Sequence, residues 1–175
     1  MKTIKNILYS AVIMLLFINA SCTKPEPPIP TGNHTFSCRI NGNLFLPNKG
    51  GGCGFSTLPC NGDGLDVIGS NNNLTLSITA FNSTANIVYF NIVNYKLGVF
   101  TLMDSNGLTR SEGDPRDINH AIAIKNGIKY LSKQGSGTVT FTDLDKNAKG
   151  TFEFKLYNEK DSNDVITVTE GRFDN

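Results

Sequence analysis

The chain has 175 residues, with 16 basic against 15 acidic side chains, no tryptophan and four cysteines. That balance excludes the basic footprint of a nucleic-acid binder or of a protein drawn to an anionic membrane surface. No segment repeats with a period of about 20–50 residues and no long run of one charge occurs, which sets aside solenoids and disordered interaction tails. At the N-terminus Lys2 and Lys5 precede an apolar stretch from Ile7 to Ile18, and Asn19-Ala20-Ser21-Cys22 follows. A basic start, a short apolar stretch and a small-residue cleavage zone make residues 1–21 an expected export signal. The apolar stretch falls short of the about 20 helical residues that cross a bilayer, so a permanent transmembrane anchor is the poorer reading.

Cys22 follows the small residues Ala20 and Ser21, an arrangement that resembles the lipobox of bacterial lipoproteins, with Asn19 standing where an aliphatic residue is usual. The resemblance implies removal of residues 1–21, lipidation of the Cys22 thiol by a palmitate-type chain, and a membrane partner reached through that anchor. Residues 23–32 contain four prolines, Pro25, Pro27, Pro28 and Pro30, so residues 22–33 read as an extended semi-rigid spacer. Loss of Lys2 and Lys5 with the signal leaves 14 basic and 15 acidic side chains. Residues 34–175 are long enough for one domain with its own core.

In an oxidising compartment a lipidated Cys22 leaves Cys38, Cys53 and Cys60, hence one disulfide and one spare thiol. Cys53 and Cys60 bracket a loop with Pro59 and flanking glycines and are the favoured local pair, while Cys38 competes with either. An unmodified Cys22 would allow two bridges. The six-residue gap between Cys53 and Cys60 is not that of a zinc knuckle, and no metal or other cofactor is expected.

From residue 34 onward the apolar period is two. Leu74, Leu76, Ile78 and Ala80 alternate with Thr75, Ser77 and Thr79; Val88, Phe90 and Ile92 alternate with Tyr89, Asn91 and Val93. Phe100 and Leu102 continue the series, and a polar turn at 104–107 follows. A short helix is expected at Asp114-Pro115, with the Asp as cap and Pro in the first turn. Ile122 and Ile124 mark a strand that leads into Asn126-Gly127, a hairpin dipeptide. Val139 and Phe141, then Phe152, Phe154 and Leu156, then residues 165–169 with Gly171 and Phe173, form three strands joined by polar turns. The expected fold is all-β: an antiparallel sandwich or partly closed barrel of about ten short strands, ending in a three-stranded meander.

Three stretches of that ending, residues 137–145, Gly150-Thr-Phe-Glu-Phe154 and Val165-Ile-Thr-Val-Thr-Glu-Gly-Arg-Phe173, resemble the C-terminal signature of small Bacteroidota lipoproteins grouped as a domain of unknown function. The opening Phe36 to Phe45, with Asn41-Gly42 at its centre, is similar to their first hairpin. The likeness covers the two ends, roughly a third of the domain. It implies an outer-membrane location, facing the periplasm or the cell surface, and a β architecture, and brings no activity with it.

Asp143, Asp145 and Asn147 share the alternation of a calcium loop, but Gly150 and Phe154 stand where that loop needs an earlier glycine and a glutamate, and a solvated turn accounts for the same residues. Residues 61–66 carry the same pattern and the same reading. A hydrolase would have to use His34 or His120, the latter near Asp114 and Asp117, without a nucleophile elbow around it. Tyr89 and Tyr157 fall on the polar side of their strands and form a candidate saccharide platform. The irregular segments 48–64 and 104–119 are the places where a partner would be met. The sequence therefore points to a non-catalytic binding or structural module whose partner is an envelope protein or glycan, not nucleic acid. Carbohydrate binding is the first alternative and hydrolysis the second.

Overall fold

The computed structural model describes residues 26–27, 35–47, 65–70, 75–82, 84, 86–109, 112, 118–145 and 148–174. The signal segment, Cys22, His34, the loop with Cys53 and Cys60, Asp114, Pro115, Asp117 and Asn147 lie outside them, as does the expected short helix. Among the described residues the chain forms eleven strands: β1 (Thr35–Ile40), β2 (Asn43–Phe45), β3 (Leu65–Ser70), β4 (Thr75–Phe81), β5 (Ile87–Ile92), β6 (Gly98–Thr101), β7 (His120–Lys125), β8 (Ile128–Leu131), β9 (Gly137–Asp143), β10 (Lys149–Asn158) and β11 (Val165–Asp174). No helix among them is long and apolar enough to cross a membrane.

Every pairing is antiparallel, in the order β2-β1-β11-β10-β8-β7-β5-β4-β3, with β9 on β10 and β6 on β9. The fold is all-β, a single antiparallel sheet curled into a half-barrel. The branch at β10 is what curls it. Residues 149–154 of this strand pair with β9, whereas Tyr157 and Asn158 pair with Leu131 and Tyr130 of β8. One long strand thus belongs to two neighbours, and β5 comes to lie across the β10–β11 face.

The core fills the inside of this curl. Phe90 on β5 meets Phe152, Phe154 and Phe173, with ring centroids 5.3, 5.9 and 5.5 Å away. Its β7 neighbours on the same face are Ala121 and Ala123, small residues that leave room for the ring. The meander supplies the opposite wall through strict alternation, with Phe152, Phe154 and Leu156 buried and Thr151, Glu153 and Lys155 exposed. Two glycines set its spacing. Gly171 stands opposite Phe152, and Gly150 opposite Phe173. A Cβ on Gly171 would collide with both the Phe152 ring and its carbonyl oxygen, and one on Gly150 with the Thr140 carbonyl oxygen and with the Phe173 ring at 2.6 Å. Each glycine therefore admits the ring of its cross-strand partner over its backbone.

Next to the Gly171–Phe152 pair β11 carries a bulge. The register steps from Gly171 opposite Phe152 to Val168 opposite Phe154, so Thr169 and Glu170 face a single residue, and Glu170 takes a φ of 53°. The bulge turns Glu170 toward β1, where its Oε2 accepts from Arg39 Nε at 2.9 Å. Both hairpins read from Asn-Gly are present: Asn41-Gly42 (φ 51° and 78°) joins β1 to β2, and Asn126-Gly127 (φ 51° and 77°) joins β7 to β8.

The alternation on β4 and β5 misleads on one point. The face expected to be polar and wet is buried: Thr75, Ser77, Tyr89, Asn91 and His120 are all inaccessible alongside Ile122. The segment after β6 accounts for part of this cover. Asn91 Nδ2 donates to the Ile118 carbonyl at 3.0 Å, Val93 N–H donates to Asn119 Oδ1, and Ser105 Oγ meets His120 Nδ1 at 2.9 Å. At these residues the layer is buried on both sides, apolar on one and hydrogen-bonded on the other.

Candidate functional site

The site is a solvent-open cleft of about 430 Å³ where the ends of β8 and β10 meet the loop after β6. Asp104 and Ser105 form one wall, Ser132 and Lys133 a second, and Tyr157 with Asn158 the floor. Local sequence explains the placement of the floor. Because 152, 154 and 156 point into the core, 155 and 157 share the outer face, and Tyr157 reaches the rim where β10 pairs with Leu131.

The walls are tied by hydrogen bonds. Ser105 N–H donates to the Ser132 carbonyl at 3.0 Å, and Gln134 N–H donates to Asp104 Oδ1 at 3.0 Å. Ser132 Oγ donates to the Met103 carbonyl at 2.7 Å and accepts from Ala121 N–H at 3.0 Å. The turn after β10 is built around Asn158, whose Oδ1 accepts Lys160 N–H and whose amide donates to Asp164 Oδ2 at 2.8 Å. Tyr130 donates to that same Asp164 oxygen at 3.0 Å. Burial and the adjoining carboxylate raise the Tyr130 hydroxyl above its ordinary value, burial being the larger cause. A binding surface framed this way loses little freedom when it takes a ligand.

Two ammonium groups converge on the Tyr157 ring, Lys133 Nζ at 4.3 Å from its centroid and Lys155 Nζ at 5.5 Å. Neither has a carboxylate within ion-pair distance among the described residues. Ser105 Oγ, by contrast, is committed. It accepts from Gly107 N–H at 3.2 Å and lies 2.9 Å from His120 Nδ1. His120 is buried against Tyr89, with ring centroids 5.5 Å apart. The serine and histidine stitch the loop to β7.

The residues singled out from sequence scatter over the fold. Tyr157 lies in the cleft. Tyr89 is only 1% exposed and lies inside the buried second face, so the two tyrosines do not form one platform. The Tyr89 ring packs edge-on to His120 of β7, a neighbour that the alternation along β5 does not encode. Cys38 is a free thiol, fully buried on the core face of β1, and burial pushes its pKa far up, which keeps it as unreactive thiol. Asp143 Oδ1 accepts from Asp145 N–H at 3.0 Å, the side-chain bond of an ordinary polar turn. Among the described residues no cluster of three metal-ligating side chains forms. Leu65 and Asp66 open β3. His120 approaches Ser105 rather than a described aspartate. Sequence reasoning singled out the segment 104–119, which contributes Asp104 and Ser105. It missed Ser132, Lys133 and Asn158, polar residues whose only sequence mark is that they border strands.

A second depression, of about 450 Å³, lies on the outer face of β1 and β11 beside Arg39 and Arg172. Glu26 and Pro27 line it, and Pro27 is buried there, so this part of the proline-rich segment lies against the domain. Comparison of the chain with protein-family models, with curated proteins and with solved structures finds no match in any of the three.

Proposed function

We propose that the protein is a non-catalytic binding module of a bacterial envelope, exported by residues 1–21, tethered through a lipid on Cys22, and recognising its partner in the cleft at Tyr157. The observation that carries the binding role is the cleft itself. It is open to solvent, its walls are fixed by hydrogen bonds, and it presents an aromatic ring among polar side chains. The tether rests on the order of basic start, apolar stretch, Cys22 and proline-rich segment in the sequence. The likeness to small Bacteroidota lipoproteins supports an outer-membrane address, facing either the periplasm or the cell surface.

Within this reading a saccharide is favoured over a protein partner, because Tyr157 combines an apolar ring with a hydroxyl and sits in a concave, hydrogen-bonding setting. Two measurements test the proposal. Intact mass of the protein from membranes is expected to show loss of residues 1–21 and a lipid-sized increment on Cys22; an unmodified Cys22 overturns the tether. Binding to a panel of envelope glycans is expected to be lost on Tyr157→Ala while the melting temperature holds. Binding unaffected by that change would remove the cleft as the recognition site.

A further inference from the structure

The arrangement around Tyr157 says more about the ligand, on the reading that the cleft binds a saccharide. Lys133 arrives from the loop after β8 and Lys155 from the outer face of β10, so two separate elements bring ammonium groups to one ring. Lys160 also lines the cleft, from the turn after β10. Both carboxylates of the lining are directed elsewhere. Asp104 accepts from Gln134 N–H in the wall, and Glu159 turns its Oε1 toward Gly107, 3.2 Å from where a Cβ on that glycine would stand. Neither ammonium group at Tyr157 is thereby paired with a carboxylate of the lining.

Lys133 and Lys155 are exposed, and an exposed ammonium rests only weakly on a tyrosine face. An arriving anion offers each a stronger partner, since a charge-assisted hydrogen bond outweighs such a contact. Once the ammonium groups swing to the anion, the ring face is released for an apolar sugar face. We propose that the cleft recognises an anionic saccharide, with Lys133 and Lys155 holding its acidic group and Tyr157 stacking on the sugar ring. Ammonium groups act as point charges without planar geometry, so the shared chemistry is a sugar-borne anion, either carboxylate or sulfate.

The test is calorimetric titration of the full chain, purified in detergent, with three probes of similar length: an oligogalacturonate, a sulfated galactan oligosaccharide that carries no carboxylate, and a neutral galactan oligosaccharide. At low salt at least one acidic probe is expected to bind 10-fold or more tighter than the neutral one, and raising the salt should narrow the gap. Comparing the two acidic probes separates carboxylate from sulfate. The double change Lys133→Gln, Lys155→Gln should abolish the preference while the melting temperature holds. Equal affinity for acidic and neutral probes, or a preference that survives the double change, overturns the assignment of an anionic ligand and leaves a saccharide site standing. Failure of all three probes to bind overturns the anionic-saccharide assignment together with the saccharide reading on which it rests.

Discussion

The meander β9–β11 and the layer β4–β5–β7 are both built from alternating sequences, yet they use the alternation differently. In β10 every second residue is buried and the others are wet. In β5 all residues from Val88 to Ile92 are buried, with Val88, Phe90 and Ile92 in the aromatic core, Tyr89 against His120 of β7 and Asn91 bonded to the Ile118 carbonyl of the segment after β6. Alternation thus reports that two faces differ in chemistry. Whether the polar face meets water or a covering loop depends on segments far away in the chain.

The comparison yields tests of decreasing size. Gly171→Ala should cost about 3 kcal/mol in a denaturant melt, because the new Cβ meets both the Phe152 ring and its backbone and the strands must part. A loss well under about 1 kcal/mol would show that the meander spacing is soft. On β5, Asn91→Ala should cost about 2 kcal/mol, since it strands Ser77 Oγ inside the protein, where it donates to Asn91 Oδ1 at 2.6 Å, and removes the bond to the Ile118 carbonyl. A neutral result there would mean that water reaches the second face after all.

Tyr130→Phe removes the bond to Asp164 and should cost about 1 kcal/mol at neutral pH. Its pH dependence has a defined sign. The folded-state value lies above the ordinary 10.0, so the folded chain holds this proton more tightly than the unfolded chain does. The stabilisation is complete below about pH 10 and fades as pH rises through the folded-state value. Melts of wild type and variant should therefore converge on the alkaline side only. The smallest effect belongs to the wet face of the meander, where Thr151→Ala should change stability by no more than about 0.5 kcal/mol.

The candidate site was half legible. Tyr157 could be placed on an outer face from the spacing of Phe152, Phe154 and Leu156, and segment 104–119 could be marked as a recognition loop. Lys133 and Asn158 could not be found, because nothing local says that the end of β8 pairs with the end of β10. Tyr89 was misplaced for the converse reason, a strand face that looks solvated but is packed against His120 from β7.

What the sequence determined by itself is whatever depends on neighbours along the chain. The period of two makes strands, and Asn-Gly makes the two tight hairpins because those residues tolerate positive φ. The tertiary structure decided what depends on distant segments meeting. It split β10 between β8 and β9, laid Phe90 across Phe152 and Phe173, and buried Tyr89 while leaving Tyr157 in a cleft. The physical reason is range. Turn chemistry and side-chain alternation act over a few residues, whereas burial is settled by whichever apolar and polar surfaces the folded sheet brings face to face.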